Sequence, residues 1–250
     1  MKKIALYLFV LCTLYSCGER VDHSIKYDGG DTINIVLLEE MNLNATSESD
    51  DPIIYFSDNE MVVTVSQSGT IYGKNIGEAN ITISNPNDKV VVKVIVSLFE
   101  EPTLNFGISE EEIINIYGQP NHTVSDGDTT AYIYGSGNNW YSYAVWEMDF
   151  FFVDNQYIES DLYIRSDVEP RLNEFLDNKY YYQGNDTINN NLYHIYLNEE
   201  NPEDATVLLG KINNVGQYND ICVFYIPFEF DGKTDYKGIV RKRFDRLWNL

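Results

Sequence analysis

Three runs decide the first fold: Tyr55-Phe56-Ser57-Asp58-Asn59-Glu60-Met61-Val62-Val63-Thr64-Val65, then Ser68-Gly69-Thr70-Ile71-Tyr72-Gly73, then Gly77-Glu78-Ala79-Asn80-Ile81-Thr82-Ile83. Apolar and polar residues alternate within each run, the period of a half-buried strand. Between them Ser66-Gln67-Ser68-Gly69 and Asn75-Ile76-Gly77 are turn sequences, and Asn85-Pro86-Asn87-Asp88 follows as a third. Gly69 suits a hairpin turn that needs positive φ, and Gly77 a turn before the strand Asn80–Ser84. The pattern extends outward through Ile33/Ile35, Ile53/Tyr55, Val63/Val65 and Ile81/Ile83 to Val90–Val96. About seventy residues of this kind predict a small all-β sandwich over 28–98.

These runs resemble the bacterial Ig-like group 2 domains. That family usually has Trp where Tyr55 stands and Ala where Val63 stands, so each replacement keeps an apolar core role. The resemblance implies an Ig-like fold used as a spacer or adhesion module, and it transfers no active site.

Upstream, Met1-Lys2-Lys3 precedes the apolar run Ile4–Leu14. As a helix that run would be about 16 Å long, too short to cross a bilayer, and it has the form of a secretory signal. Leu14-Tyr15-Ser16-Cys17-Gly18 resembles the lipobox of bacterial lipoproteins. The resemblance implies a signal peptide over 1–16, acylation and cleavage at Cys17, a tether over 17–27, and a membrane partner reached through the N-terminal lipid. With Cys12 in the signal and Cys17 lipidated, only Cys222 remains; it reads as a small buried side chain in an apolar strand. The expected location is the outer membrane, at the cell surface or on the periplasmic face. Asp31-Thr32-Ile33, Asp128-Thr129-Thr130 and Asp186-Thr187-Ile188 resemble the O-glycosylation motif of the Bacteroides group.

Downstream the pattern changes after Leu98-Phe99-Glu100-Glu101-Pro102. Ser109-Glu110-Glu111-Glu112 is a capping box opening a helix with Ile113, Ile116 and Tyr117 at helical spacing, closed by Gly118 and Pro120. Strands are expected at Ala131–Tyr134, Tyr143–Val153 and Ile158–Ile164. Alternation along the longest puts Ala144, Trp146, Met148, Phe150 and Phe152 on one buried face, with Glu147 and Asp149 on the other. A second round opens with a helical stripe of Val168, Leu172, Phe175 and Leu176, then strands near Leu192–Leu197, Ala205–Ile212 and Ile221–Phe228. The prediction for 99–250 is an α+β domain: an antiparallel sheet with helices on one face, as a possible tandem of 103–164 and 165–250, each a helix plus three strands. The first round, with Gly107-Ile108-Ser109 and Tyr117-Gly118-Gln119-Pro120, resembles the outer-membrane assembly lipoprotein BamE and the β-lactamase inhibitory proteins. That resemblance implies a fold for gripping other proteins. In the tail, Val240, Phe244, Leu247 and Trp248 align on one face of a helix docked on the sheet, while Arg241, Lys242, Arg243 and Arg246 mostly line the rest as a solvated basic face; the alternative is a basic contact to the acidic body or to lipid headgroups.

Composition narrows the function. With 17 basic and 39 acidic residues the formal charge is −22, which repels phosphate and excludes a nucleic-acid partner. Three histidines leave little for metal chemistry. Gly232-Lys233-Thr234 lacks the upstream glycine of a phosphate loop, since Pro227 holds that position. Gly135-Ser136-Gly137 has Trp140 where a dinucleotide fingerprint needs its third glycine. No catalytic residue, metal site or cofactor is expected. Among 20 Tyr, 12 Phe and 3 Trp, the run Asn138-Asn139-Trp140-Tyr141-Ser142-Tyr143 places aromatics beside amides, the pairing that stacks on sugar rings and bonds their hydroxyls. Asn138, Asn139, Trp140, Tyr141 and Tyr143 are therefore the candidate ligand-binding residues. The expected function is a non-enzymatic, lipid-anchored envelope protein whose distal domain binds a protein or glycan. The alternatives are a periplasmic BamE-like scaffold or protein inhibitor, and a polysaccharide hydrolase with two carboxylates paired in space.

Overall fold

The computed structural model describes residues 22–48, 51–135, 140–188, 191–215, 219–230, 238–240 and 242–243. The signal, Cys17, Asn138, Asn139 and most of the basic tail lie outside the described residues.

The first module contains β1 (Ile25–Lys26), β2 (Thr32–Val36), β3 (Glu40–Asn42), β4 (Thr46–Ser47), β5 (Ile54–Ser57), β6 (Val63–Val65), β7 (Thr70–Gly73), β8 (Gly77–Ser84) and β9 (Lys89–Ser97). They form the sheets β2-β9-β8-β5 and β3-β7-β6, plus the short pair β1-β4. β2 runs parallel to β9, and the other pairs are antiparallel. Alternation buries Ile33, Ile35, Ile81, Ile83, Val92, Val94 and Val96 from one sheet against Val63 and Ile71 of the other, each worth roughly 1.5–3 kcal/mol of apolar burial. Gly69 is required twice over: its φ is +80°, and a Cβ there would lie 2.6 Å from the Tyr55 ring. Because Ile25 is buried and paired opposite Ser47, ordered chain begins ahead of residue 28, inside the stretch expected to be tether.

The second sheet follows α1 (Glu110–Tyr117). Its first four strands are β10 (His122–Asp126), β11 (Thr129–Gly135), β12 (Val145–Val153) and β13 (Gln156–Ile164). α2 (Glu169–Lys179) then precedes β14 (Tyr181–Ile188), β15 (Asn191–Leu197), β16 (Val207–Val215) and β17 (Asp220–Pro227). The order is β10-β11-β12-β13-β17-β16-β15-β14, antiparallel throughout. A helix and a four-stranded meander thus occur twice, joined where the last strand of each round pairs with the other. The expected helix plus three strands is short by one strand per round. The missing β10 and β14 are the sheet's two edges, where mostly exposed residues, polar apart from Val124, Tyr181, Tyr182 and Ile188, lack the apolar alternation that marks a strand.

α1 has the capping box read from its sequence, with the Ser109 hydroxyl accepting from the Glu112 N–H and the Glu112 carboxylate from the Ser109 N–H. Its inward face is narrower than expected, since Ile113 is buried but Ile116 is 55 % exposed. One face of the sheet (Met148, Phe150, Phe152, Leu162, Ile164, Leu209, Val223, Tyr225) shares a core with Ile113 of α1 and with Leu172 and Leu176 of α2. That core is continuous with the sandwich through Leu98 and Phe99. The opposite face carries a second core of Tyr193, Ile195, Leu208, Ile212, Cys222, Phe224 and Ile226, covered by Val240. Burial is therefore two-sided, against the one-sided expectation. Cys222 is buried as expected.

Two further expectations are corrected. In β12 the register against β13 shifts between Val145 and Glu147, a bulge at Trp146. The extra residue reverses the alternation, so Val145 joins the core and Trp146 turns to the opposite face beside Tyr163, 5.4 Å between rings. Arg243 is not solvated. One helical turn beyond Val240, it shares the inward face, bonds the buried carboxylates of Glu159 and Asp161, and lies 4.0 Å from the Phe224 ring centroid.

Candidate functional site

The aromatic run sits at a corner of the second sheet. β11 ends at Gly135, where φ is +88° and a Cβ would come within 2.2 Å of the Trp146 carbonyl oxygen, so only glycine lets the chain leave the sheet there. On its return, the Tyr141 N–H donates to that same oxygen (3.3 Å) and the Ser142 N–H donates to Val145 O (2.7 Å). The Ser142 hydroxyl accepts from the Val145 N–H (3.2 Å). These bonds close a tight turn that leads into β12.

Just beyond β13, the Arg165 N–H donates to Ala144 O (3.0 Å) and ties the strand end to this turn. The Arg165 guanidinium then lies 5.2 Å from the Trp140 ring centroid and 4.8 Å from that of Tyr143. Asp167 accepts from the Arg165 Nε (2.9 Å) and, with its other oxygen, from Nη2. The cation is thus held by one acid and two π faces, each cation–π contact contributing about 0.5–1 kcal/mol at an exposed site. Trp140 remains 49 % exposed and Tyr143 is half-buried.

Tyr141 takes no part in that surface. It is partly buried and packs against the core next to the link between modules, and that burial, followed by the nearby Glu100 carboxylate, pushes its hydroxyl well above the ordinary tyrosine range. Below the corner, Asp220 opens β17. Burial raises its carboxyl, partly offset by the Trp146 indole and the Arg165 charge.

Of the candidate residues, the structure brings Trp140 and Tyr143 together and separates Tyr141. The partners that sequence reasoning missed are Arg165, Asp167 and Asp220. The one local signal was a single basic residue two before an acid, directly after an apolar strand. Among the described residues, no group of three or more His, Cys, Asp or Glu side chains is placed to hold a metal ion. Chemically, the corner offers a fixed, half-exposed indole beside a neutralised guanidinium, which suits stacking and hydrogen bonding.

No family model matches the chain, and no curated protein matches it. Among solved structures, a bacterial Ig-like domain-containing GH10 xylanase from termite gut aligns at 14 % identity and a TM-score of 0.26, over 34 % of this chain and 23 % of the xylanase. Domains 5-6 of the S-layer protein SbsC align at 13 % identity and a TM-score of 0.27, over 84 % of this chain and 86 % of that one.

Proposed function

We propose that this chain is a lipid-anchored cell-envelope protein, attached to the outer membrane through Cys17. In it an Ig-like sandwich carries an α+β body that binds a protein or glycan ligand and performs no catalysis. The observation that supports a binding role is Trp140, a large apolar side chain left half-exposed while its ring is fixed against Arg165. A ring already ordered loses little freedom when a ligand stacks on it, so its area is available for binding.

Replacing Trp140 with Ala tests the corner. Against a glycan array, and against envelope proteins in a pull-down, the variant is expected to bind about tenfold more weakly, the loss of one aromatic contact of roughly 1.4 kcal/mol, while the thermal midpoint falls by no more than the few degrees that the lost Arg165 contact accounts for. A collapsed midpoint would make Trp140 a packing residue; unchanged binding would move the site elsewhere. Protease shaving of intact cells, with a periplasmic protein as leakage control, tests the surface location.

The second reading, a BamE-like scaffold or protein inhibitor, is favoured by the duplicated unit of helix and four-stranded meander, which builds one broad sheet from two rounds. The hydrolase reading needs an open cleft with paired carboxylates. Asp149 and Asp161, which stand directly opposite each other on neighbouring strands, are both buried.

A further inference from the structure

β10, His122-Thr123-Val124-Ser125-Asp126, is one edge of the eight-stranded sheet, and all five of its residues are exposed. Its pairing with β11 is regular from end to end. The strand has no Pro, Lys or bulge, the devices that usually blunt a sheet edge. The opposite edge is different, because β14 is interrupted by a register shift between Tyr182 and Gly184, where φ is +131°.

The backbone of β10 points two ways. Gly127 and Asp128 form a two-residue hairpin loop, with Gly127 at φ +61° and Asp126 opposite Thr129. Such a loop is flanked by a hydrogen-bonded pair, and bonded pairs alternate along the ladder. Asp126, Val124 and His122 therefore direct their N–H and C=O groups to β11. Thr123 and Ser125 direct theirs to the open side.

We propose that this edge pairs with the same edge of a second copy of the chain, antiparallel about a two-fold axis at Val124, making one continuous sixteen-stranded sheet. The strand is complementary to itself in that register. His122 meets the Asp126 carboxylate of the second copy, Thr123 meets Ser125, and Val124 meets Val124. Thr123 and Ser125, the two residues with outward backbone groups, fall opposite each other and form the bonded pairs. A shift by one or two residues loses both the His122–Asp126 contact and the apolar contact. This inference does not rest on the ligand proposed at Trp140, since it is argued from the five residues of β10 alone.

The register is read by disulfide trapping of the full chain in cell membranes. In an antiparallel pair the unbonded residues have Cα atoms about 4.5 Å apart, within disulfide reach. Val124→Cys is expected to give a linked dimer on a non-reducing gel, about tenfold more than Thr123→Cys or Ser125→Cys alone, whose own counterparts lie out of reach across the axis. Chains carrying Thr123→Cys and Ser125→Cys, expressed together with different tags, are expected to link to each other. Added to Val124→Cys, His122→Asp should reduce the dimer, and His122→Asp with Asp126→His should restore it. Equal linking at all three positions, no link from a folded Val124→Cys chain, or failure of the reciprocal swap would overturn the proposal. Because β10 is exposed, a circular dichroism spectrum like that of the unsubstituted chain suffices to show that each variant is folded.

Discussion

Asp149 stands opposite Asp161 across β12 and β13, 6 % exposed, and its Oδ1 has no hydrogen-bond partner among the described residues. Arg243 reaches Glu159 and Asp161. Burial, followed by the Glu147 and Asp161 charges, drives the Asp149 carboxyl well above its ordinary value of 3.8. Its folded form holds a proton over a pH range where its unfolded form has lost it. The stability it contributes is therefore full below about pH 4 and is lost as pH rises through the raised folded value. Asp149→Asn, which keeps the shape without the titration, should raise the thermal midpoint at pH 8 by a few degrees and change it less at pH 4.5. The gain corresponds to relief of about 1–3 kcal/mol of uncompensated burial. Equal shifts at both pH values, or a loss at pH 8, would show that Asp149 is not the protonated member of the pair. Its burial was hidden in the sequence, where alternation assigned Glu147 and Asp149 to an outer face. That face is covered by a segment far along the chain.

α1 and β12 show what local sequence conveys about an element and what it omits. The capping box at Ser109 and Glu112 was legible because both hydrogen bonds close within four residues. Ser109→Ala should lower stability by about 1 kcal/mol while Ser109→Asp holds it near the original value, as measured by urea unfolding. An Asp variant as unstable as Ala would mean that the cap does not hold the helix. The Trp146 bulge was not legible. Whether one extra residue is absorbed depends on the register of β13 and on Tyr163, which lies on the neighbouring strand. The edge strands escaped for a related reason, since a strand at a margin has no need of the apolar period that identifies it.

Across the whole molecule, the link between modules is a weld. Leu98 and Phe99 are buried, and the Phe99 ring meets Phe175 of α2 edge-on at 5.1 Å. The Glu101 carboxylate accepts from the Tyr225 hydroxyl at 3.2 Å, from the Tyr180 hydroxyl and from Lys179. These bonds join the link to the end of α2 and to the centre of the sheet. The unsubstituted chain should unfold in a single calorimetric transition. Glu101→Ala strands two hydroxyls at a cost of about 2–4 kcal/mol, and it should lower the transition or split it in two. Two transitions already present before substitution would show that the modules are independent.

The sequence by itself determined the local matters: the apolar-alternating strands of the sandwich (β2, β5, β6, β8 and β9, but not the short β1, β3 and β4), Gly69 in its turn, the capped helix, the antiparallel strands at the sheet centre, the aromatic run and the acidic charge. Each depends on residues within a few positions of one another, so periodicity and turn chemistry report them. Only the tertiary structure decided that two rounds join edge to edge as one sheet, that Arg243 leaves solvent for Glu159 and Asp161, and that Arg165 holds Trp140 in place. Those outcomes bring together residues from 22 to 84 positions apart, and burial and charge pairing at such separations leave no period in the chain.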